Sequence, residues 1–437
     1  MKRVLKTLCT FVAAICAGYA AHAQTTLDEC IGWAYDNYPQ IKEMSLIEMT
    51  KGIDLKNAAY AWLPHLNISG KATWQSEVVE MPMDIPGMDI NIPHDQYGLT
   101  AEFTQQIWDG GASRSQKELA EAGAEVKKTQ LETNLWSIRS RVQNVFLGII
   151  LIDKQLELNR LLRESLERSS EEVKSRMEAG VALPSDLDQV SVNILSCLQQ
   201  RASLDADRKS YVKILGLLTG RDMTDVELAV PQDAVNYVDD GARDFETRPE
   251  MAFYAAQLKQ NEFQRRQLNT LISPKLNLSL QGGYGRPGMN MLSGDFSGYF
   301  VAWLKLQWNI GALYTRGLDK RRVNADAQKI DLTRKSFILN SSVEAEQKNN
   351  AILKARDVLE KDSEIIGLRQ RIRASGENQY REGTIKMNDY LSMLDEEYKA
   401  KANESMHEVQ LMMAVYDMKN TIGKYYCPLK LFDSTKN

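Results

Sequence analysis

Residues 63–69 have the sequence LPHLNIS, and residues 273–279 have the similar sequence SPKLNLS, 210 positions later. Further paired landmarks follow in the same order: Ile107-Trp108-Asp109-Gly110-Gly111 with Gln307-Trp308-Asn309-Ile310-Gly311, Glu178-Ala179-Gly180 with Arg381-Glu382-Gly383, and Gly220 with Gly423. The offset falls by about ten because the first copy carries a longer insertion, at roughly residues 80–96. The chain is therefore predicted to contain an internal duplication of about 200 residues.

Both copies have the same predicted order of elements. A helix ends at a proline, two alternating segments follow, and a glycine-containing turn precedes two long helices that a glycine separates. The predicted organisation is a first repeat at 24–220, a connecting segment at 221–248, a second repeat at 249–423 and a C-terminal tail at 424–437.

The alternating segments place apolar and polar residues on opposite faces. In the first, Asn67, Ser69 and Lys71 alternate with the apolar positions. Segments of about ten residues with aromatic residues near their ends are typical of transmembrane β-strands, although a half-buried sheet on a soluble core has the same period. The predicted lipid-facing positions are Leu66, Ile68, Trp74, Leu276, Leu278 and Leu280.

The helical segments are unusually long. Apolar residues with strict 3-4 spacing, typical of a coiled-coil seam, are Leu135, Ile138, Val142, Val145, Ile149, Ile152 and Leu156. The proline-free runs at about 112–179 and 312–382 would each measure about 100 Å at 1.5 Å per residue. The predicted fold is therefore mostly α, with long coiled-coil helices that form an α-barrel and with a membrane β-barrel.

Four strands in one chain predict an oligomer. Small barrels need about eight strands, and an open sheet in lipid leaves unpaired edge groups that cost several kcal/mol each. The edges are therefore expected to pair with other copies of the chain. Two copies would give eight strands with a packed interior, and three would give twelve strands with room for a channel.

The N-terminal residues 1–23 have the features of a secretory signal peptide. Lys2, Arg3 and Lys6 precede an apolar run at 12–17, and residues 21–23 form a small-x-small cleavage site. Removal of this segment leaves 51 basic and 58 acidic residues, a net charge of −7 that argues against nucleic-acid binding. The remaining cysteines are predicted to be buried or half-buried free thiols rather than a disulfide framework; they are Cys30, Cys197 and Cys427.

Several motifs suggest chemistry without supporting it. Residues 283–288 fit GxGxxG, but no helical pattern follows, so a loop is predicted there rather than a dinucleotide site. Adaptable packing is favoured over a soft-metal site for the methionines of the strand-connecting loops, Met81, Met83, Met88, Met289 and Met291. No nucleophile, metal-ligand or phosphate-loop pattern is present, so we predict no catalytic residue, no cofactor, no metal and no enzyme activity.

The sequence resembles the TolC-like outer-membrane efflux protein family over essentially the whole mature chain. The resemblance rests on the duplicated order of elements and on a set of short motifs: Leu27-Asp28-Glu29-Cys30, Asn37-Tyr38-Pro39, Leu63-Pro64, Arg248-Pro249-Glu250 and two Gly-x5-Asp hairpins. It implies a homotrimer with a twelve-stranded outer-membrane barrel and a periplasmic α-barrel that narrows to a gated tip, in a Gram-negative bacterium. Such proteins are passive exit ducts of tripartite efflux pumps or type I secretion systems, and they dock a periplasmic adaptor protein and an inner-membrane transporter.

The resemblance also implies roles for residues at the two hairpin tips. Gly180 and Gly383 match the tip glycines, where family adaptors dock. Asp186 and Tyr380 match a pair that is hydrogen-bonded in some members and helps to hold the tip shut. Ile385 replaces an arginine of those members, and the neighbouring Lys386 is a candidate substitute.

Two further positions match acidic rings of the periplasmic aperture. Asp389 matches one ring, where threefold symmetry would bring carboxylates together and attract cations. The second ring position is occupied by Ser392, with Asp395 one turn further along. For Asp186 a capping role is an equal alternative, because Ser185 and Asp188 have the spacing of a capping box.

An elongated, soluble periplasmic scaffold of coiled-coil hairpins, resembling a pump adaptor, is the main alternative function. It would make the four alternating segments an ordinary β-domain. A periplasmic hydrolase is a weaker alternative, because the sequence offers no nucleophile or metal constellation. Lipid exposure of the alternating apolar positions distinguishes the duct from the scaffold.

Overall fold

The computed structural model describes residues 24–78, 93–238, 241, 243–290 and 294–424. The predicted signal peptide, most of the insertion at 80–96, the tail beyond residue 424, Cys427 and the loop methionines other than Met289 lie outside these residues. The described chain divides into two compact units. The hairpin unit contains residues 24–42, 131–251 and 336–424, and the strand unit contains residues 43–130 and 252–335.

The described helices and strands follow the predicted duplicated order. The helices are α1 (Leu27–Asn37), a 3-10 turn (Pro39–Lys42), α2 (Glu43–Tyr60), α3 (Ala112–Glu178), α4 (Pro184–Thr219), α5 (Gln232–Val235), α6 (Pro249–Thr270), α7 (Ala312–Arg381) and α8 (Met387–Thr421). The strands are β1 (His65–Trp74), β2 (Asp95–Trp108), β3 (Lys275–Arg286) and β4 (Ser297–Gln307). The two long helices begin at the predicted residues and end within one residue of the predicted ends, with 67 residues in α3 and 70 in α7.

The strand unit contains one antiparallel sheet in the order β1-β2-β3-β4. Its register aligns the alternating residues of all four strands: Ile68 is opposite Ala101, Ala101 is opposite Gly282, and Gly282 is opposite Phe300. The intervening rows are mostly polar, with Asn67, Glu102 and Gln281 side by side. The sheet therefore has one apolar face and one largely polar face, and β1 and β4 are its two edges.

Strand β3 is longer than expected. It continues to Arg286, so the first four residues of the GxGxxG match are extended strand rather than loop, and the loop prediction was wrong for them. The register explains this: Gly285 pairs with Gly98 on one side and with Ser297 on the other. A Cβ at Gly285 would lie 2.6 Å from the carbonyl oxygen of Tyr97. The glycine is therefore used for close strand approach, not for phosphate binding.

The landmark at residues 107–111 is the turn that joins β2 to α3. The buried Asp109 carboxylate accepts hydrogen bonds from the amide of Gly111 at 2.8 Å and from the amide of Ser113 at 2.7 Å. The first is the amide of the residue that precedes α3, and the second belongs to the first turn of the helix, whose amides have no partner within the helix. Gly110 and Gly111 have φ angles of 68° and 86°, which favour glycine. The turn motif therefore caps the N-terminus of α3.

The core of the hairpin unit forms on the predicted seam of α3. Five of the seven seam residues are buried, namely Leu135, Ile138, Val142, Ile149 and Ile152, whereas Val145 and Leu156 are half-buried. Phe146, Leu147 and Ile150 are also buried, so the helix buries a broader face than a two-residue seam. An 18-residue window of α3 is apolar enough to cross a membrane, but 67% of it is buried inside the protein.

Two of the short sequence motifs cap the C-terminal ends of α4 and α8, the second helix of each hairpin. Asn37 donates from Nδ2 to the carbonyl oxygens of Leu217 and Leu218 at the end of α4, at 3.1 and 3.2 Å. In the second repeat, Arg248 donates from Nη1 to Asn420 and Thr421 at the end of α8, at 2.9 and 3.2 Å. Unpaired helix carbonyls thus explain the positions of both motifs.

Candidate gate at the hairpin tips and candidate lipid-facing sheet

The two tips have the same backbone geometry. Gly180 and Gly383 have φ angles of 75° and 74°. In each tip the glycine amide donates to the carbonyl three residues earlier at 3.0 Å, and the following amide donates to the carbonyl five residues earlier at 2.9 Å. This pair of bonds ends a helix with a left-handed residue, a conformation in which glycine avoids the penalty of a Cβ. No other atom lies within 4 Å of the position of either Cβ.

The two aspartates of the Gly-x5-Asp motifs occupy equivalent positions. Oδ2 of Asp186 accepts a hydrogen bond from the amide of Leu183 at 3.1 Å, and Oδ2 of Asp389 accepts one from the amide of Lys386 at 3.3 Å. Each aspartate is thus the third residue of its helix and binds the residue that precedes the helix. Both carboxylates also lie at a positive helix N-terminus.

The capping box expected at Ser185 and Asp188 was placed two residues too late. The residue before α4 is Leu183, and Pro184 is the first helical residue, where its missing amide costs nothing. Asp186 therefore takes the acidic position of the box. Lys386 supplies its backbone to the equivalent contact in the second tip, and its exposed side chain forms no ion pair within the described chain.

An apolar cluster lies directly behind the tips, within the hairpin unit. Its buried members are Leu166, Val173, Val190, Cys197, Tyr380, Met387, Tyr390, Leu391 and Leu394. The rings of Tyr380 and Tyr390 stack with 6.0 Å between their centroids. Burial raises the pKa of both phenols. The cluster joins all four helices of the two hairpins.

Tyr380 does not bond to Asp186 in this structure. The Tyr380 hydroxyl is buried without a hydrogen-bond partner among the described residues. Arg176 instead contacts Tyr380: its guanidinium carbon lies 4.7 Å from the ring centroid, and Nη1 donates to the Tyr380 carbonyl at 3.0 Å. Sequence reasoning did not identify Arg176, because its only sequence signal is that it is a basic residue in the last turn of α3.

The aperture candidates on α8 are accessible. Asp389 and Ser392 are both exposed. Ser392 and Asp395 line a groove of about 710 Å³ between α3, α4 and α8, where amide side chains such as Asn193 and Asn388 accompany them. Asp395 pairs with Lys399 of the next helical turn at 2.7 Å. The acidic ring at Asp389 therefore stays a prediction for the assembled protein.

Three of the predicted lipid-facing residues are strongly exposed in the single chain. Leu66 is 65% exposed, Ile68 is 64% exposed and Trp74 is 75% exposed. Leu276, Leu278 and Leu280, on the internal strand β3, are half-buried. The same apolar face continues onto β4 with exposed residues that the sequence did not single out, because β4 is apolar throughout; they are Phe300, Leu304 and Leu306.

The thiols and the acidic groups offer no metal cluster in the part of the chain that is described. No group of three or more His, Cys, Asp or Glu side chains is placed to hold an ion there. Cys30 and Cys197 are buried, and burial raises the pKa of Cys30 to about 12. His407 pairs through Nδ1 with Asp362 at 2.6 Å.

With this geometry established, comparison with protein-family models gives one decisive match. Residues 33–221 match the model described as "Outer membrane efflux protein". This segment is therefore similar to the outer membrane efflux protein family. It comprises most of the first repeat, and the family is one of transport channels rather than of enzymes. A search of the curated proteins finds no match.

Solved outer-membrane efflux channels share the fold over nearly the whole chain. VceC of Vibrio cholerae has a TM-score of 0.65 at 13% identity, over 91% of this chain and 96% of its own. CmeC of Campylobacter jejuni has a TM-score of 0.62 at 14% identity, over 92% and 86%. The open state of MtrE from Neisseria gonorrhoeae has a TM-score of 0.66 at 14% identity, over 91% and 88%. The predicted fold class, long helices with four strands per chain, is confirmed.

Proposed function

We propose that the protein is the outer-membrane exit duct of a tripartite efflux pump or type I secretion system. It is a passive channel, gated at its periplasmic tip, without catalysis or a cofactor. Three copies form a twelve-stranded barrel in the outer-membrane lipid, and the helical hairpins extend into the periplasm. The observation that carries the proposal is the four-stranded sheet with an exposed apolar face and two open edges.

The apolar face fits lipid better than water. Exposed large side chains on this face belong to all four strands, with Leu66 on β1, Leu99 on β2, Tyr284 on β3 and Phe300 on β4. Contiguous exposed apolar surfaces of this kind are rare on soluble monomers. The opposite face carries amide, hydroxyl and charged groups, as expected for the inner wall of a water-filled barrel. A soluble scaffold would have to cover the apolar face.

The sheet edges support ring closure. Each edge strand in lipid would leave a row of backbone groups unpaired, at several kcal/mol per group. Pairing of β4 in one copy with β1 in the next removes both edges, and a heterologous contact that repeats in this way closes a ring. Three copies supply twelve strands, enough to enclose an aqueous lumen.

The helices attached to the edge strands support the same contact. On α2, which precedes β1, Leu46 and Met49 are 55% and 58% exposed. On α7, which follows β4, Tyr314 and Leu318 are 86% and 64% exposed. The parts of α3 and α6 in the strand unit, all of whose residues are described, expose no large apolar side chain. Unburied apolar surface is therefore concentrated on the two helices that a neighbouring copy would cover.

The hairpin tips are proposed as the gate and as the adaptor contact. Gly180 and Gly383 keep both tips narrow, and the first tip presents Val181 and Leu183, which are 67% and 65% exposed. Asp389, Ser392, Asp186 and Tyr380 lie within one to three turns of these tips and form the proposed aperture and its supports. An adaptor protein and an inner-membrane transporter would dock there and supply the energy that the channel lacks.

The mass of the native complex tests the proposal. The protein is extracted with detergent from separated outer membranes, and its mass is measured before and after heating. A heat-labile complex of three mature chains that forms ion channels in planar bilayers is expected. A monomer in the soluble periplasmic fraction would refute the duct and favour the soluble scaffold.

A further inference from the structure

Arg176 lies in the last turn of α3 and contacts both hairpins of the protomer. Its backbone carbonyl accepts the 2.9 Å bond from Val181 that ends α3 at the first tip. Its side chain crosses to the second tip, where Nη1 donates to the carbonyls of Tyr380 and Arg381, at 3.0 and 3.1 Å. One residue therefore closes the C-terminal ends of two helices that are about 200 residues apart in sequence.

The side chain is held on the second tip by packing as well as by hydrogen bonds. The guanidinium lies over the Tyr380 ring, a favourable position for a cation over an aromatic face. The Tyr380 ring is 6% exposed and stacks on Tyr390 of α8. A positive charge at the end of α7 is also favoured by the helix dipole. Arg176 thus contacts α7 directly and reaches α8 through the Tyr380 ring.

The charged neighbours reinforce this connection from the opposite direction. Arg381 at the end of α7 extends to Glu172 of α3 at 3.5 Å and to Glu377 of its own helix at 2.8 Å. These pairs are partly exposed to solvent and contribute little by themselves. Beyond the apolar cluster, the main polar link between the tips is therefore the Arg176 side chain.

We infer that Arg176 is a positioning residue of the proposed gate, a clamp that holds the two hairpin tips of one protomer together at rest. The inference rests on the proposed function. The tips part only if the guanidinium leaves the two α7 carbonyls and the Tyr380 ring. Arg176 supplies a cation to the second tip from the other hairpin.

Conductance of the purified trimer in planar bilayers tests the clamp. Arg176→Met keeps the aliphatic stem but removes every polar contact to the second tip. It is expected to raise the fraction of open channels about ten-fold, the factor that corresponds to 1.4 kcal/mol. Arg160→Met is the matched control, because Arg160 lies on the same helix and its ion pairs within the described part of the chain are with Glu157 and Glu164 of that helix.

Two substitutions at Tyr380 show whether its ring or its hydroxyl holds the tips together. Tyr380→Leu removes the ring face under the guanidinium, whereas Tyr380→Phe removes only a hydroxyl that has no hydrogen-bond partner among the described residues. The open fraction is expected to rise more with Tyr380→Leu than with Tyr380→Phe. Equal effects of the two variants would assign the latch to the hydroxyl and overturn the clamp. An unchanged or lower open fraction in Arg176→Met, or an equal rise in Arg160→Met, would also overturn it.

Hydrogen exchange separates the clamp from the duct. The Tyr380 carbonyl that accepts from Arg176 also accepts from the amide of Gly383 at 3.0 Å. In detergent-purified Arg176→Met, amide exchange over residues 380–386 is expected to accelerate about ten-fold relative to Arg160→Met. If the wild-type protein forms no channel, the duct fails, and this exchange rate still decides the clamp: equal rates would refute it.

Discussion

The substitution Ile68→Arg tests the assignment of the two sheet faces most directly. Ile68 lies near the middle of β1, in a row with Ala101, Gly282 and Phe300. It is 64% exposed, and its nearest neighbours in the row, Ala101 and then Gly282, are small. An arginine would therefore fit sterically, and any defect would reflect the medium that the side chain meets.

The expected cost follows from transfer energies. An arginine on the lipid face near the bilayer centre costs about 2–4 kcal/mol. The isoleucine side chain would be buried in lipid in the assembled barrel, and its loss from that medium costs about 1.5–3 kcal/mol more. Each chain thus loses about 4–7 kcal/mol, and a trimer contains three copies of the change. Such a loss is comparable to the whole stability of many domains, so little assembled barrel is expected.

The neighbouring substitution Asn67→Arg is the matched control. Asn67 is also exposed but lies on the opposite face, in a row with Glu102 and Gln281. An arginine there would meet water and a carboxylate, so near-normal assembly is expected. The assay is the amount of heat-labile trimer in separated outer membranes, at matched expression. Equal amounts for the two variants, or greater damage from Asn67→Arg, would show that the face assignment is wrong.

Three further substitutions probe the hairpin unit. Asp389→Asn removes a charge but keeps a side-chain oxygen that can accept from the Lys386 amide, so trimer stability should change little. The cation preference measured from reversal potentials should fall. Unchanged selectivity would exclude an acidic ring at this position. Gly220→Ala would place a Cβ 2.4 Å from Oδ1 of Asn37, on a residue whose φ is 70°. A loss of about 2 kcal/mol in stability is expected, seen as thermal dissociation at a lower temperature. An unchanged dissociation midpoint would contradict the role of Asn37 as a cap. Burial raises the pKa of the Glu397 carboxyl, but hydrogen bonds from Lys401 and Arg373 outweigh this effect, so its pKa lies below the ordinary value of 4.5. The ionised Glu397 carboxylate therefore stabilises the fold above about pH 4.5 and does so less as the pH falls. Glu397→Gln should reduce the stability by about 2 kcal/mol at pH 7 and by less near pH 4. A loss of stability that does not depend on pH would refute the charge argument.

Elements with strong local signals could be predicted from sequence. The starts of α3 and α7 were predicted at the correct residues because turn motifs fix them, as with Asp109. Strand positions such as Leu66 and Ile68 were placed on the correct face because the side-chain period of a strand is two. Hairpin register then follows from the pairing of like faces.

Contacts between distant segments could not be predicted in this way. The capping box was expected at Ser185, but Pro184 begins the helix and moves the acidic position to Asp186. In the single chain the Tyr380 hydroxyl does not bond to Asp186, and the residue that contacts Tyr380 is Arg176, 204 residues away in sequence. A single sequence contains no signal for such a pair, because its energy depends on where two hairpins pack.

The sequence by itself determined the duplication, the helix and strand order and the separation of apolar from polar strand positions, because each is a local, periodic property of the chain. Only the tertiary structure determined which helix ends meet. Asn37 closes α4, Arg248 closes α8, and Arg176 joins the two tips. In each case a side chain satisfies carbonyls that helix geometry leaves unpaired, and only the folded arrangement brings the donor to them.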